Sequence, residues 1–315
     1  MVFVDRQIRT SCVDLSIVIV NWNTRELLAD CLESIFENVH DLAYEVLVVD
    51  NASSDGSADM VRRRFPQARL IENEQNVGFA RANNQAIRCS MGRYVLLLNS
   101  DTLTLPDSFL DMCRFLDAHP HVGIVGGTLL NPDGSFQASY ADFPSLVSEA
   151  FLITGLSRVV YSRYFPSHPP SENSLPKSVD WVGGACLMAR RSAIEEVGLL
   201  DEDYFMYSEE MDWCYRMKRR GWEVYYLPTA RVIHVQGQSI RQAPYKQRVY
   251  LYSSKIRFFR KHYGLLTVTC LRAIVTAASL ARAAYWLSLG LCKTGVRTRA
   301  WGEVRASLQL ILGLS

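Results

Sequence analysis

The chain predicts an α/β fold, a largely parallel sheet covered by helices on both faces, and three observations carry that expectation. Short apolar runs alternate with helix-period segments through the first half of the 315 residues. The runs are rich in Val, Ile and Leu with little alternation, as strands buried on both faces require. Each run ends in small polar residues, the place where an open parallel sheet binds its ligand.

Strands are expected at Leu15 to Val20, Glu45 to Val49, Arg69 to Ile71 and Tyr94 to Leu98. The helix after the first should start at Asn23, with Glu26 three residues on as a capping-box partner. Helices over Ser57 to Phe65 and Phe79 to Cys89 follow, and this strand–helix alternation implies right-handed parallel connections. A helix over Asp107 to Ala118 leads to a strand at Val122 to Val125 and a turn at Asn131-Pro132-Asp133-Gly134. Residues 161–177, rich in Pro, Ser and Tyr, read as a loop over the site. An apolar stretch at Val182 to Met188, a helix from Ser208 to Arg220 closed by Gly221, and strands near Glu223 to Tyr226 and Arg231 to Val235 complete the pattern. The body is expected to span residues 1–262, with a nucleotide-binding half at about 14–130 and an acceptor half at about 131–262.

Residues 263–315 form an amphipathic helical tail. From residue 255 onward the chain holds ten Lys or Arg against the single acid Glu303, which makes that segment +9 and the rest −7. Basic residues set among aliphatic runs fit an anionic membrane surface better than nucleic acid, although a helix pair packed on the body would share the pattern. Arg282 falls near the middle of the longest apolar window, where a charge costs about 3 kcal/mol in a spanning helix. A helix lying in the interface is therefore expected, with Lys255, Arg257, Arg260 and Lys261 near headgroups. The eight cysteines form no CxxC pair and read as reduced thiols, which suits the cytoplasmic side of the membrane.

Three polar clusters carry candidate chemistry. The first comprises Asn21 and Asn23 after the first strand and Asp50 after the second. The Asp50 carboxylate can accept from a base N–H or a ribose hydroxyl, whereas Asp55 and Ser57 read as caps of the next helix. No GxGxxG follows the first strand and no GxxxxGK[ST] occurs, which excludes the dinucleotide and P-loop cradles. Asn76, Arg81 and Asn84 extend this cluster, the last two one helical turn apart and able to face a sugar or phosphate together, or simply solvated.

The second cluster is Asn99-Ser100-Asp101, where an apolar strand stops at a carboxamide and a carboxylate two residues apart. Residues i and i+2 of an extended segment share a face, so one hard cation could meet both. His234 is a candidate third ligand beyond a later strand, or a packed histidine. The third cluster is Glu209, Glu210 and Asp212 at the start of a helix that ends in Lys218-Arg219-Arg220. Acids first and bases last complement the helix dipole, and equally a carboxylate crowded by like charge and by Phe205, Met206 and Trp213 gains proton affinity as a general base.

Taken together, LSIVIVNWNT at Leu15 to Thr24, VVDNASSDGS at Val48 to Ser57, NVGFARANN at Asn76 to Asn84, LLNSD at Leu97 to Asp101, VGGAC at Val182 to Cys186, FMYSEEMDWCYR at Phe205 to Arg216, and His234 resemble the family 2 glycosyltransferases, especially the rhamnosyltransferase-like branch. The resemblance covers residues 14–260 and implies a GT-A fold, a single Rossmann-like mixed sheet, with a divalent cation, Mg2+ or Mn2+, and inversion by direct displacement. It makes Asp50 the base-binding aspartate, Asn99-Ser100-Asp101 the DxD motif, Glu210 the catalytic base with Asp212 its acidic neighbour, and His234 a metal ligand. Asn99 and Glu210 depart from the family's aspartates at those positions. Gly183 and Gly184 are assigned to the donor side, and Trp181 and Glu209 to the acceptor, with Trp181 equally a core residue.

The implied reaction moves a sugar, rhamnose from dTDP-rhamnose, to a glycan or a polyprenyl-diphosphate-linked acceptor in cell-surface polysaccharide synthesis. A sugar-phosphate nucleotidyltransferase would share the sheet and metal but needs a basic phosphate loop that residues 21–24 lack. A nucleotide-sugar-binding protein with weak turnover is the other alternative, with Asn99 as its mark.

Overall fold

The computed structural model describes residues 13–313 apart from 161–164, 166, 168, 170–173, 236–243, 293, 294 and 296. Most of the expected loop at 161–177 therefore lies outside the described residues. The chain runs β1 (Leu15–Asn21), α1 (Arg25–Asn38), β2 (Tyr44–Asp50), α2 (Ser57–Arg64), β3 (Arg69–Glu72), α3 (Phe79–Cys89), β4 (Tyr94–Asn99), β5 (Thr102–Thr104) and α4 (Ser108–Ala118). It continues through β6 (Val122–Leu130), β7 (Phe136–Gln137), β8 (Tyr140–Ala141), α5 (Leu146–Thr154), α6 (Ser157–Val160), β9 (Lys177–Ser178), β10 (Trp181–Val182), β11 (Cys186–Arg190), α7 (Arg191–Val197) and α8 (Glu209–Arg219). β12 (Glu223–His234) and three helices, α9 (Pro244–His262), α10 (Leu265–Cys292) and α11 (Arg297–Gly313), complete it.

The main sheet has the order β3-β2-β1-β4-β11-β6-β12-β5. Its first four strands are parallel, β11 runs antiparallel between β4 and β6, and β5 is antiparallel to β12. The parallel sheet expected from the alternation is thus a mixed one. Side chains alternate faces along β1, so Ile17 and Ile19 pack with Leu28, Leu32 and Ile35 of α1, while Val18 joins Ala80 and Ile87 of α3 and Trp213 and Met217 of α8. Both faces are covered, which is why these strands read as unbroken apolar runs. Gly126 is required by this packing, since a Cβ there would stand 2.5 Å from Val182 Cβ.

Two local expectations change. The helix after β1 starts at Arg25 rather than Asn23, because Asn23 adopts φ 53° and accepts from Ser54 N–H, while Glu26 pairs with Arg25 instead of closing a capping box. Asp55 serves that start as well as the next one, accepting from the N–H of Arg25 and of Ser57. The two strands expected after Gly221 are one, β12, with a register shift between Leu227 and Arg231.

The C-terminal helices pack on one another and on the body. Phe258 and Phe259 of α9, Val268, Leu271 and Val275 of α10 and Leu310 of α11 share a core with Ile153 and Met211. Each fully buried Phe contributes on the order of 1.5–3 kcal/mol to holding α9 in place. Of the four basic residues of α9 expected near headgroups, three pair with acids of the body: Lys255 binds Glu149, Arg257 binds Asp203, and Lys261 binds Asp201 and Asp212, while Arg257 and Arg260 are both exposed.

Candidate active site

A cavity of about 740 Å3 opens at the carboxyl ends of β1 and β4. Its lining includes Trp22, Asn51, Asn76, Asn99, Ser100, Asp101 and His234 together with Trp181, Gly183, Gly184, Glu209 and Glu210. None of the described lining residues is Lys or Arg.

The Asn99-to-Asp101 turn follows β4, a strand buried along Tyr94 to Leu98. β5 turns straight back out of it and pairs with β12 in a register that sets Thr102 opposite His234. That pairing brings His234 Nε2 to 3.2 Å from Asp101 Oδ1. On the other side of the ring, Nδ1–H donates to Gln137 Oε1 at 2.6 Å, and Gln137 Nε2 donates to Asn131 Oδ1 and to the His234 carbonyl. The Gln137 amide is thereby oriented with its oxygen toward the imidazole. In this tautomer Nε2 carries a lone pair, which receives Asn99 Nδ2–H at 3.3 Å.

A ring nitrogen and a carboxylate oxygen 3.2 Å apart suit a bound cation. Among the described residues no three His, Cys, Asp or Glu side chains gather closely enough to hold a metal by themselves. Asp101, His234 and Asn99 thus fit a hard divalent ion that takes its remaining oxygens from ligand and water.

Asp50 and Asn21 stand opposite each other in the β1–β2 register. Asp50 Oδ1 accepts from Asn21 Nδ2 at 3.0 Å and Oδ2 accepts from Ser53 N–H at 2.9 Å, both groups being buried. Neither residue lines the cavity, nor does Asn23, whose backbone N–H and Oδ1 tie to Ser53 and Ser54. All three bond within the turns that border the cavity, and the neighbouring Asn51 lines it. Asn51 accepts from Asn73 and Val77 N–H and donates to Asn76 Oδ1 and the Gly78 carbonyl, locking the two loops together. The signal for Asn51 was its position one step past Asp50, on the opposite face of the strand end. Trp22 is also on the wall by that logic.

Arg81 and Asn84 do not face the cavity. Both bind Glu202, at 3.1 and 3.0 Å, and Asn84 also exchanges bonds with Leu200 backbone, so they fasten α3 to the 200–202 loop. Gly78, with φ +87°, ties α3 to that same region. A Cβ there would meet the Phe205 carbonyl at 2.7 Å, the oxygen that accepts from Phe79 N–H.

Glu209 and Glu210 open α8 beside the cavity. Burial pushes the Glu210 carboxyl up to about 7, against the backbone N–H groups of the helix start, which favour its charge. Burial and the neighbouring Glu210 hold Glu209 well above the usual carboxylate range. A Cβ at Gly184 would lie 3.7 Å from Glu210 Cβ, an ordinary contact, so glycine there leaves space for a ligand.

Asp212, the expected acidic neighbour, is fully buried and off the cavity wall. Burial alone would raise its carboxyl, but the bond from His262 and the charges of Arg216 and Lys261 outweigh it and hold Asp212 at about 2. His262 Nε2–H donates to Oδ1 at 2.7 Å, Lys261 Nζ stands 2.7 Å from the same oxygen, and Arg216 Nε donates to Oδ2 at 2.8 Å. Its geometry is that of a clasp between α8 and α9. Ser254 adds to it by donating to the Met206 carbonyl, and Phe205 packs on Tyr250 with ring centroids 5.1 Å apart.

The sequence model described as glycosyl transferase family 2 matches residues 16–198. The N-acetylglucosaminyl-diphospho-decaprenol L-rhamnosyltransferase of Mycobacterium tuberculosis is 32% identical over 222 residues, 63% of this chain and 69% of that one. The low-salt glycan biosynthesis hexosyltransferase of Haloferax volcanii is 28% identical over 247 residues, 77% and 74% of the two chains. Among solved structures, a mannosyltransferase from Pyrobaculum calidifontis in complex with GDP-Man and Mn2+ superposes with a TM-score of 0.56 at 18% identity, covering 96% of this chain and 88% of that one. That likeness bears on the fold, which is GT-A.

Proposed function

The chain belongs to the family 2 glycosyltransferases, in their rhamnosyltransferase-like branch, and from that premise we propose that it transfers rhamnose from dTDP-rhamnose, with inversion, to a hydroxyl of a lipid-linked glycan. The observation that carries this reading is Glu210, a buried carboxyl raised to about 7 on the wall of a cavity that Asp101 and His234 also line. A base poised near neutral pH accepts the proton of an acceptor hydroxyl as its oxygen attacks the sugar's anomeric carbon and the nucleoside diphosphate leaves.

Asp101, His234 and Asn99 would hold the divalent cation, Mg2+ or Mn2+, whose charge would offset that of the departing diphosphate. No described Lys or Arg lines the cavity to do so instead. Asn51, Asn76, Trp22 and Ser100 form the donor's wall, with Gly183 and Gly184 leaving room for its sugar. Trp181 and Glu209 belong to the acceptor side, and the mycobacterial relative is by its name an N-acetylglucosaminyl-diphospho-decaprenol L-rhamnosyltransferase.

The tail suits such an acceptor. α10 is long and apolar enough to cross a membrane, yet 22% of its apolar window is buried, and Leu265, Leu266, Leu291 and Trp301 are exposed beside Arg282, Arg299 and Arg305. We place α10 and α11 on the anionic inner face of the cell membrane, with the body in the cytoplasm. A panel of nucleotide sugars offered with Mg2+ or Mn2+ tests the whole reading. dTDP-rhamnose should be consumed and the signal should vanish with EDTA, whereas a chain that consumes no nucleotide sugar under either metal is not this enzyme.

A further inference from the structure

Ser139 Oγ, Glu209 Oε2 and Glu210 Oε2 are buried oxygens of cavity-lining residues that, like Tyr207 Oη, have no hydrogen-bond partner among the described residues. Ser139 is 5% exposed and Glu209 4%. Leaving such an oxygen unpaired costs about 1–3 kcal/mol, which a ligand hydroxyl would recover.

The backbone sets these oxygens around one short turn. β8 and β10 pair with Trp181 opposite Ala141 and Val182 opposite Tyr140. Just beyond that pairing, Gly183 N–H donates to the Ser139 carbonyl at 2.8 Å, while Gly184 faces Glu210. Ser139 therefore meets Gly183 and Glu210 meets Gly184, two adjacent residues, with Glu209 one step before Glu210 at the start of α8. Trp181 stands at the head of the same strand, and its Nε1–H donates to the Asp142 carbonyl at 3.1 Å, which fixes the indole.

If Glu210 receives the reacting proton, Ser139 and Glu209 are left with nothing to do in that step. We propose that Ser139 and Glu209 form a subsite for a second acceptor hydroxyl, adjacent to the one that reacts, and so select an uncharged sugar ring bearing two neighbouring hydroxyls. The assignment rests on the Glu210 reading and adds a substrate class to it. Glu209 accepts from a sugar O–H when ionised and donates when it holds a proton, which burial and Glu210 favour. The Ser139 hydroxyl rotates to complement either state. The fixed Trp181 ring offers an apolar wall to the C–H face of the sugar. A uronate would bring a further carboxylate beside the Glu209–Glu210 pair, where like charges repel.

The test is sugar binding to the full chain in the presence of dTDP and Mg2+, read by saturation-transfer NMR and calorimetry. The probes are the methyl glycosides of N-acetylglucosamine, of its 3-deoxy and 4-deoxy analogues, and of glucuronic acid. The parent sugar should bind, each deoxy analogue at least tenfold more weakly, and the glucuronide not measurably. Glu209→Ala and Ser139→Ala should each weaken the parent at least fivefold and narrow its lead over the deoxy analogues. Ser139→Ala removes one atom and keeps the test open should the Glu209 variant fail to fold. No parent binding, equal binding of parent and deoxy sugars, or full discrimination in a folded Ser139→Ala chain overturns the proposal. Absence of turnover with every nucleotide sugar, while these binding differences persist, would instead remove the role of Glu210 and leave the subsite standing.

Discussion

Asp101 and His234, far apart in the chain, are joined at 3.2 Å by the pairing of β5 with β12, and Gln137 fixes the ring that completes the contact. These three residues and Asn99 should contribute unequally. Asp101→Ala should abolish metal-dependent donor hydrolysis, His234→Ala and Gln137→Leu should raise the metal concentration for half-activity about 10–100-fold, and Asn99→Ala should change it least. Metal titrations of initial rate separate these cases, and an equal effect of Asn99→Ala and Asp101→Ala would deny the uneven division.

Glu210 sets the pH response. The base acts ionised, so kcat should fall as pH drops through about 7. Glu210→Gln should lower kcat by about 10^2–10^4 with the donor KM little changed. Its effect on stability has the opposite sense. A carboxyl raised in the folded state binds its proton more tightly there than in the unfolded chain, so stability declines as pH rises from the ordinary carboxylate range through about 7. Above that, the ionised group is an uncompensated burial, and Glu210→Gln should raise Tm at pH 8.

Asp212 should behave as a structural anion. Its carboxyl is lowered to about 2, so the stability it confers is full above the ordinary aspartate range and is lost as pH falls toward about 2. Asp212→Ala leaves His262, Lys261 and Arg216 without their shared partner and should cost about 3 kcal/mol in urea unfolding, at the low end for a buried pair because Lys261 and Arg216 reach solvent. Asp212→Ala should also depress kcat through the loss of the α8–α9 clasp, and a variant of full kcat with reduced stability would limit the clasp to folding.

The exposed apolar residues of α10 and α11 should govern membrane affinity. Replacing Leu265, Leu266, Leu291 and Trp301 with Ser should reduce sedimentation with phosphatidylglycerol vesicles at least tenfold while leaving the circular dichroism spectrum unchanged. Raising salt should weaken the wild-type association by screening Arg282, Arg299 and Arg305.

The parallel strands were legible because burial on both faces writes itself as an apolar run, and β1, β2 and β4 end within one residue of where the pattern stops. β11 was not, since nothing local records that a strand enters the sheet antiparallel between two others. Of the site, Asn99, Asp101, His234 and Glu210 stood at visible strand or helix ends. Asp50 and Arg81 were polar residues in the right segments whose partners, Asn21 and Glu202, come from elsewhere in the chain. The basic residues of α9 misled for the same reason, because an excess of positive charge counted along the sequence hides the acids that meet it across space.

His234 lies at the end of the last sheet strand, and the α9 clasp follows it. A chain emerging from the ribosome with its N-terminus first makes the Asp101 turn well before His234 or the clasp exists. Both the Asp101–His234 contact and the α8–α9 clasp are therefore completed late in synthesis, and a translation product cut short before β12 lacks them together.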